Sequence, residues 1–280
     1  MRSARWYPGV MRMVYLLAAV LIVWSVWALA TEVFDVPPYV VPTPGKTFSA
    51  LTGDWSNLDG LVLQTIWECV AGFLVGVAVG FLFAVLMAHV KIIQQIFYPI
   101  LIASQAIPIV ALAAPLVIIL GFGLTPKLVI VGLIVFFPVV VNVLDGLTSI
   151  DKDMVALARS MGGSSLKLFL LIRLPATLTP LFSALKLAAT YTVTGAVIGE
   201  WTASESPGIG QDLLLKNSRL DTAGVYADVL LLTLIGLSGF VLITALEHLL
   251  TPWRARSTAR RKPRGTQEPQ ETRILTPERI

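Results

Sequence analysis

The sequence predicts an all-α integral membrane protein that crosses the bilayer six times. Three observations predict it. Only 14% of the 280 residues are charged and 56% are hydrophobic, whereas a soluble domain carries about 25% charged residues. The apolar residues gather in six runs, 14–30, 61–88, 96–120, 128–144, 178–199 and 226–250, each near the roughly 20 residues that a spanning helix needs. The cations also segregate. Sixteen lie in segments that six spans place inside, and four (Lys46, Lys127, Lys216, Arg219) in segments placed outside. That imbalance sets both termini on the cytoplasmic side of the plasma membrane. The runs exceed the roughly 10 residues of a barrel strand and do not alternate, so helices are the expected form.

The first run follows Arg2, Arg5 and Arg12 and ends in Ala30-Thr31-Glu32 without a small-residue cleavage site. It reads as a retained anchor. The connector to residue 60 holds Pro37, Pro38, Pro42 and Pro44 and is expected to be extended. In the second run Gly72, Gly76 and Gly80 form a strip of small residues where a helix of this chain or of another copy can approach. Gln64 and Glu68 precede that strip on about the same face. An acid inside a span is a functional suspect, although this one is also placed to snorkel to the outer headgroups. Pro108 and Pro115 break backbone bonds in the third run and are candidates to shape a gate. The fourth run is short and contains Pro138; the fifth contains Lys186.

The chain thus divides into a first helix with its connector (1–60), a transmembrane core (61–252) and a basic tail (253–280) expected to be disordered. The tail cluster Arg254 to Arg264 suits anionic headgroups, but a solubilising positive-inside tail explains it as well. The net charge of +4 sits mainly there, which gives nucleic-acid binding no support. Cys69 is the only cysteine, so an intrachain disulfide is excluded.

The segment between the fourth and fifth runs carries the most information. Ser149 or Asp151 can cap a helix, and Asp151 and Asp153 suit its positive end. Met154, Leu157, Ala158 and Met161 make one apolar face. Gly162-Gly163 supplies a left-handed stop, Ser164 or Ser165 caps a second helix, and Leu174-Pro175 is expected to end or kink it. A short amphipathic helix therefore lies on the cytoplasmic face, with lipid, its own bundle or a partner to bury against.

Here the sequence resembles the permeases of binding-protein-dependent ABC importers. Their pattern on this loop is Glu-Ala-Ala, three residues, Gly, nine residues, Ile, one residue, Leu-Pro. Ala156-Leu157-Ala158, Gly162, Ile172, Leu174 and Pro175 fall at that spacing. Two positions depart: Ala156 stands in place of Glu and Leu157 in place of Ala, so no role of that Glu carries over, although Asp153 is nearby. The likeness covers 61–250. It is strongest to the nitrate/sulfonate/taurine branch, and within it to permeases for the pyrimidine precursor of thiamine, on Ser104-Gln105 through Pro115, on Leu185 through Trp201 and on Gly208-Ile209-Gly210.

The resemblance implies a type I importer permease fold with a coupling helix. Asp153, Ala156, Leu157, Ala158, Met161, Gly162, Gly163 and Pro175 would meet a cytoplasmic ABC ATPase. It further implies a second permease copy, a homodimer by default, and an extracytoplasmic substrate-binding protein that delivers a small solute. Glu68, Gln105, Pro108, Thr190, Tyr191, Thr194 and Glu200 are the candidates for the translocation path or its outer mouth; the threonines can instead bond back to their own helix. No Walker phosphate loop and no catalytic constellation occur in the sequence, and His89 and His248 stand alone near helix ends, so no catalysis, cofactor or metal is expected. An ion-driven secondary transporter and a lipid-modifying enzyme using Asp145, Asp151 and Asp153 are the alternatives.

Overall fold

A computed structural model describes residues 8–203 and 205–251. The elements are α1 (Pro8–Val33), α2 (Pro44–Gly53), α3 (Trp55–His89), α4 (Lys91–Ser104), α5 (Ile109–Leu120), α6 (Leu124–Thr148), α7 (Lys152–Ser160), α8 (Ser165–Leu168), one π-helical turn (Phe169–Arg173), α9 (Leu174–Thr202), α10 (Ile209–Ser218) and α11 (Thr222–Leu250). Among the described residues every regular element is helical. The tail cluster and Arg2 and Arg5 lie outside them.

Four stretches are long and apolar enough to span a bilayer: α3, α6, Ser165–Thr202 and α11. The α4–α5 pair makes a fifth if its two halves are one span. The first expected span corresponds to Leu17–Val33 of α1, a shorter apolar helix. Large apolar side chains such as Ile118 and Leu82 stand exposed on these helices, a surface that lipid covers and water would not tolerate.

Several expectations are corrected. The run 96–120 is not one straight span, because α4 and α5 meet at a 105° bend. Pro108 stands at the break, as the N-cap of α5. It brings no N–H for α4 to continue with and disfavours helical geometry at Ile107. The connector is not wholly extended. Pro44 opens α2, and the Thr43 hydroxyl accepts from the Lys46 N–H, the arrangement that favours Pro at a first helical position. Pro175 does not stop a helix; it falls in the first turn of α9, where its missing N–H is harmless, and the π turn before it carries the chain from α8 into α9 without a break. The fourth span, α6, is longer than the run 128–144 because Pro138 is tolerated inside it. That extension takes in Lys127, which is a buried helix residue rather than an outer-loop charge.

α6 is the central helix, packed between α3 and α9. The glycine strip meets this helix of its own chain. A Cβ at Gly72 would lie 2.5 Å from the Val131 side chain, one at Gly76 2.7 Å from the Gly132 carbonyl oxygen, and one at Gly80 3.0 Å from the Phe136 carbonyl oxygen. On the other side a Cβ at Gly195 or Gly199 would meet the backbone of Val131 or Lys127 at 3.0 and 3.1 Å. Both neighbours thus approach α6 to backbone contact, which is how helices gain dispersion energy where no hydrophobic effect joins them. Gly76→Leu should force α3 off α6. The expected result is a lower melting temperature of the detergent-purified protein, by an overpacking cost of at least about 1–3 kcal/mol; an unchanged melting temperature would show that this seam is loose.

Candidate functional site

The candidate residues fall at the two ends of the α3–α6–α9 stack, along one face of α9 and at the α4–α5 break. At the end where α6 begins, three charged side chains are fully buried: Glu68 on α3, Lys127 on α6 and Glu200 on α9. The Lys127 ammonium donates to Glu68 Oε1 at 2.8 Å and to the Ser206 carbonyl at 2.5 Å. Gln64 Nε2 donates to the same Glu68 oxygen at 2.8 Å. Glu200 caps the first turn of α10, accepting from the Gln211 N–H at 3.1 Å, while its Oε1 accepts from the Thr65 hydroxyl at 2.7 Å. Thr65 in turn accepts from the Ile209 N–H at 2.9 Å.

Gly208 and Gly210 permit this closeness, since a Cβ on Gly208 would overlap Glu200 Oε1. Trp201 Nε1 donates to the Gly210 carbonyl at 2.8 Å. α10 is therefore tied to α3 and α9 at its start. At its other end Lys216 bonds Asp212 at 2.6 Å and the buried Asp228 of α11 at 2.9 Å. Burial opposes the Lys216 charge, but the bonds and charges of Asp212 and Asp228 outweigh it and raise its pKa.

Glu68 and Glu200 thus sit inside the chain's own packing, not on an open wall. Sequence reasoning singled out both acids and missed their partners. The signal was present: an acid within a span calls for a cation, and Lys127 is the basic residue at the same end of the neighbouring helix.

The proposed path residues of α9 point elsewhere. Tyr191 and Thr194 are exposed and Thr190 half-exposed, with Ser183 and Leu187 on the same face. Thr192 is buried and bonds back to the Ala189 carbonyl. Gln105 and Pro108 are exposed at the α4–α5 break.

At the opposite end, between α6 and α9, stands α7. Asp151 accepts from the Asp153 N–H at 2.9 Å and caps its start. Its end is a Schellman motif: the Gly162 N–H donates to Arg159 at 2.9 Å and the Gly163 N–H to Ala158 at 3.0 Å. Gly162 has φ of +85°, and a Cβ on Gly163 would meet the Ala158 carbonyl oxygen at 2.6 Å. Both glycines are thus required, for different reasons. Ser164 then caps α8 by accepting from the Lys167 N–H. The apolar residues Met154, Leu157 and Met161 are 54%, 63% and 80% exposed. Ala156 is exposed and Ala158 half-buried. The chain's own bundle does not cover this face.

Comparison with known proteins places this architecture. Residues 76–253 match the family described as binding-protein-dependent transport system inner membrane component. The chain is similar to the formylaminopyrimidine transport permease protein ThiX of Halalkalibacterium halodurans, 30% identical over 82% of this chain and 91% of that one. It is similar to the riboflavin transport system permease protein RibX of Chloroflexus aurantiacus, at 29% over 82% and 86%. It is also similar to the taurine transport system permease protein TauC of Escherichia coli, at 26% over 90% and 94%. With a family match over most of its length, and with no enzymatic activity of its own because ATP hydrolysis resides in a separate subunit, the chain belongs to the membrane-embedded permease components of ABC importers.

Proposed function

We propose that the chain forms, as a pair of identical copies, the path for a small solute handed over by an extracytoplasmic substrate-binding protein, and that α7 is the helix through which ATPase subunits drive it. The observation that carries this reading is the exposed apolar face of α7 (Met154, Leu157 and Met161) on a helix fixed at both ends. An apolar stripe held rigidly clear of its own bundle suits insertion into a cleft of a partner. The closing of two ATPases on nucleotide would pull the paired α7 helices together and rock the bundles between outward and inward openings.

On this reading α1 supplies a sixth span, with residues 1–60 as first helix and connector, 61–252 as permease core and 253–280 as tail. Both termini are cytoplasmic. The Glu68–Lys127–Glu200 cluster with α10 lies at the outer end, opposite α7. Gln105, Pro108, Thr190, Tyr191 and Thr194 line the path. Two copies supply the second wall, because Leu187 and Tyr191 of α9 stand more than half exposed in a single copy. The favoured cargo is the thiamine pyrimidine precursor or a related heterocycle, supported by the likeness to ThiX and RibX; sulfonates, taurine or nitrate come next.

Cysteine accessibility tests the orientation. The native Cys69 is buried, so background labelling should be low. Ser56→Cys should react with a membrane-impermeant maleimide in intact cells and Ser164→Cys only after lysis. Labelling of Ser164→Cys in intact cells would invert the assignment of α7.

A further inference from the structure

Between α9 and α11 runs an open groove of about 410 Å³, walled by Thr190, Val193 and Thr194 on one side and by Val229, Thr233 and Gly236 on the other. A volume of this size lies within the range of small-molecule sites. Its polar groups are the hydroxyls of Thr190, Thr194 and Thr233. The Thr190 hydroxyl donates to the Leu187 carbonyl at 2.7 Å and the Thr233 hydroxyl to the Val229 carbonyl at 2.7 Å. Each has committed its proton to its own helix, so each offers the groove lone pairs. One turn from Thr190 toward the α7 end stands Lys186, which is 22% exposed and ion-paired with Glu247 of α11. The ammonium that an anion would seek there is already neutralised.

We propose that this groove is a cargo subsite for an uncharged solute that donates hydrogen bonds, such as an aminopyrimidine, and that the Lys186–Glu247 pair sets this charge class by masking the cation at its inner end. The inference rests on the permease reading above and assigns a solute chemistry to one face of its path. A ring bearing an amino or hydroxymethyl group finds acceptors at Thr190 and Thr233, and Gly236 leaves room beside them. A sulfonate finds two acceptors facing its own oxygens, the single neutral donor of Thr194, and a cation already paired with Glu247. Desolvating it there is unfavourable, because a buried anion needs donors or a cation. Lys186 and Glu247 act on solute charge, as specificity-determining residues.

Two measurements decide the matter, the first without knowledge of the natural cargo. The full-length protein in detergent is titrated with methanesulfonate while its melting temperature is followed. Wild type should show no rise, and Glu247→Gln, which releases the Lys186 ammonium, should show one that grows with the logarithm of concentration. The double variant Lys186→Gln/Glu247→Gln should lose the rise again. A folded Glu247→Gln with no response, or a wild type already stabilised by methanesulfonate, overturns the proposal. If Glu247→Gln does not fold, the second measurement stands alone. Gly236→Leu fills the groove from the α11 side, and in proteoliposomes of the whole transporter it should cut uptake of hydroxymethylpyrimidine at least tenfold while the ATPase still co-purifies. Unchanged uptake also overturns the proposal. Absence of wild-type uptake of this compound counts against the heterocycle reading itself, and the methanesulfonate titration then still decides the charge class.

Discussion

Lys127→Met should remove most of the folded protein. Lys127 and Glu68 are each 0% exposed and 2.8 Å apart, and the methionine would keep the stem that packs on Gly199 while deleting the charge. It leaves the Glu68 carboxylate buried beside Glu200 with one amide donor, Gln64, and leaves the Ser206 carbonyl without its partner. Removing one member of a buried pair costs about 3–5 kcal/mol, a large share of a stability of about 5–15 kcal/mol. We expect a fall in the monodisperse yield and in the melting temperature of the purified protein. Lys127→Met/Glu68→Gln should recover much of both, because the isolated charge is gone. A single variant as stable as wild type would mean that the pair is solvated and that this end of the bundle is open.

Leu157→Asp and Gly162→Val should leave an inserted, folded protein that no longer transports. Leu157 is 63% exposed, so an aspartate there costs the isolated chain little. Within a dry cleft of the ATPase it carries a desolvation penalty of several kcal/mol, and each 1.4 kcal/mol is a factor of ten in affinity. A Cβ on Gly162 would meet nothing within 4 Å, but the residue adopts φ of +85°, which a β-branched side chain tolerates only at about 1–3 kcal/mol. Its substitution distorts the Schellman stop and swings α7 against α8. Both changes should reduce ATP-driven uptake by tenfold or more, with Gly162→Ala intermediate. Full uptake in both variants would place α7 against lipid rather than a partner.

The sequence carried the apolar runs because their length and lack of charge are one-dimensional signals, and five of the six map onto the four long helices and the bent pair. It also carried the α7 turn, since capping by Asp151 and the left-handed glycine are local chemistry. The 105° bend was half legible. Pro108 marked the place, but the direction in which α5 leaves depends on its packing against α6 and α9. The partner of the glycine strip was open between this chain and another copy, because small-residue spacing names a face and not what meets it. Lys127 was misassigned because hydropathy averages over a window, and one buried lysine next to Pro126 reads as a loop charge. Its contact with Glu68 spans 59 positions, and no local rule reaches that far.

The claim on which the account turns is that α7 seats in an ATPase subunit. A photo-crosslinking phenylalanine analogue placed at Leu157, in whole membranes where the chain and its ATPase are made together, reads the neighbour of that face directly. The account predicts one protein adduct of the combined mass of permease and ATPase, formed in wild-type background and lost when Gly162→Val is added. Adducts to lipid alone, with no ATPase attached in either background, would contradict it.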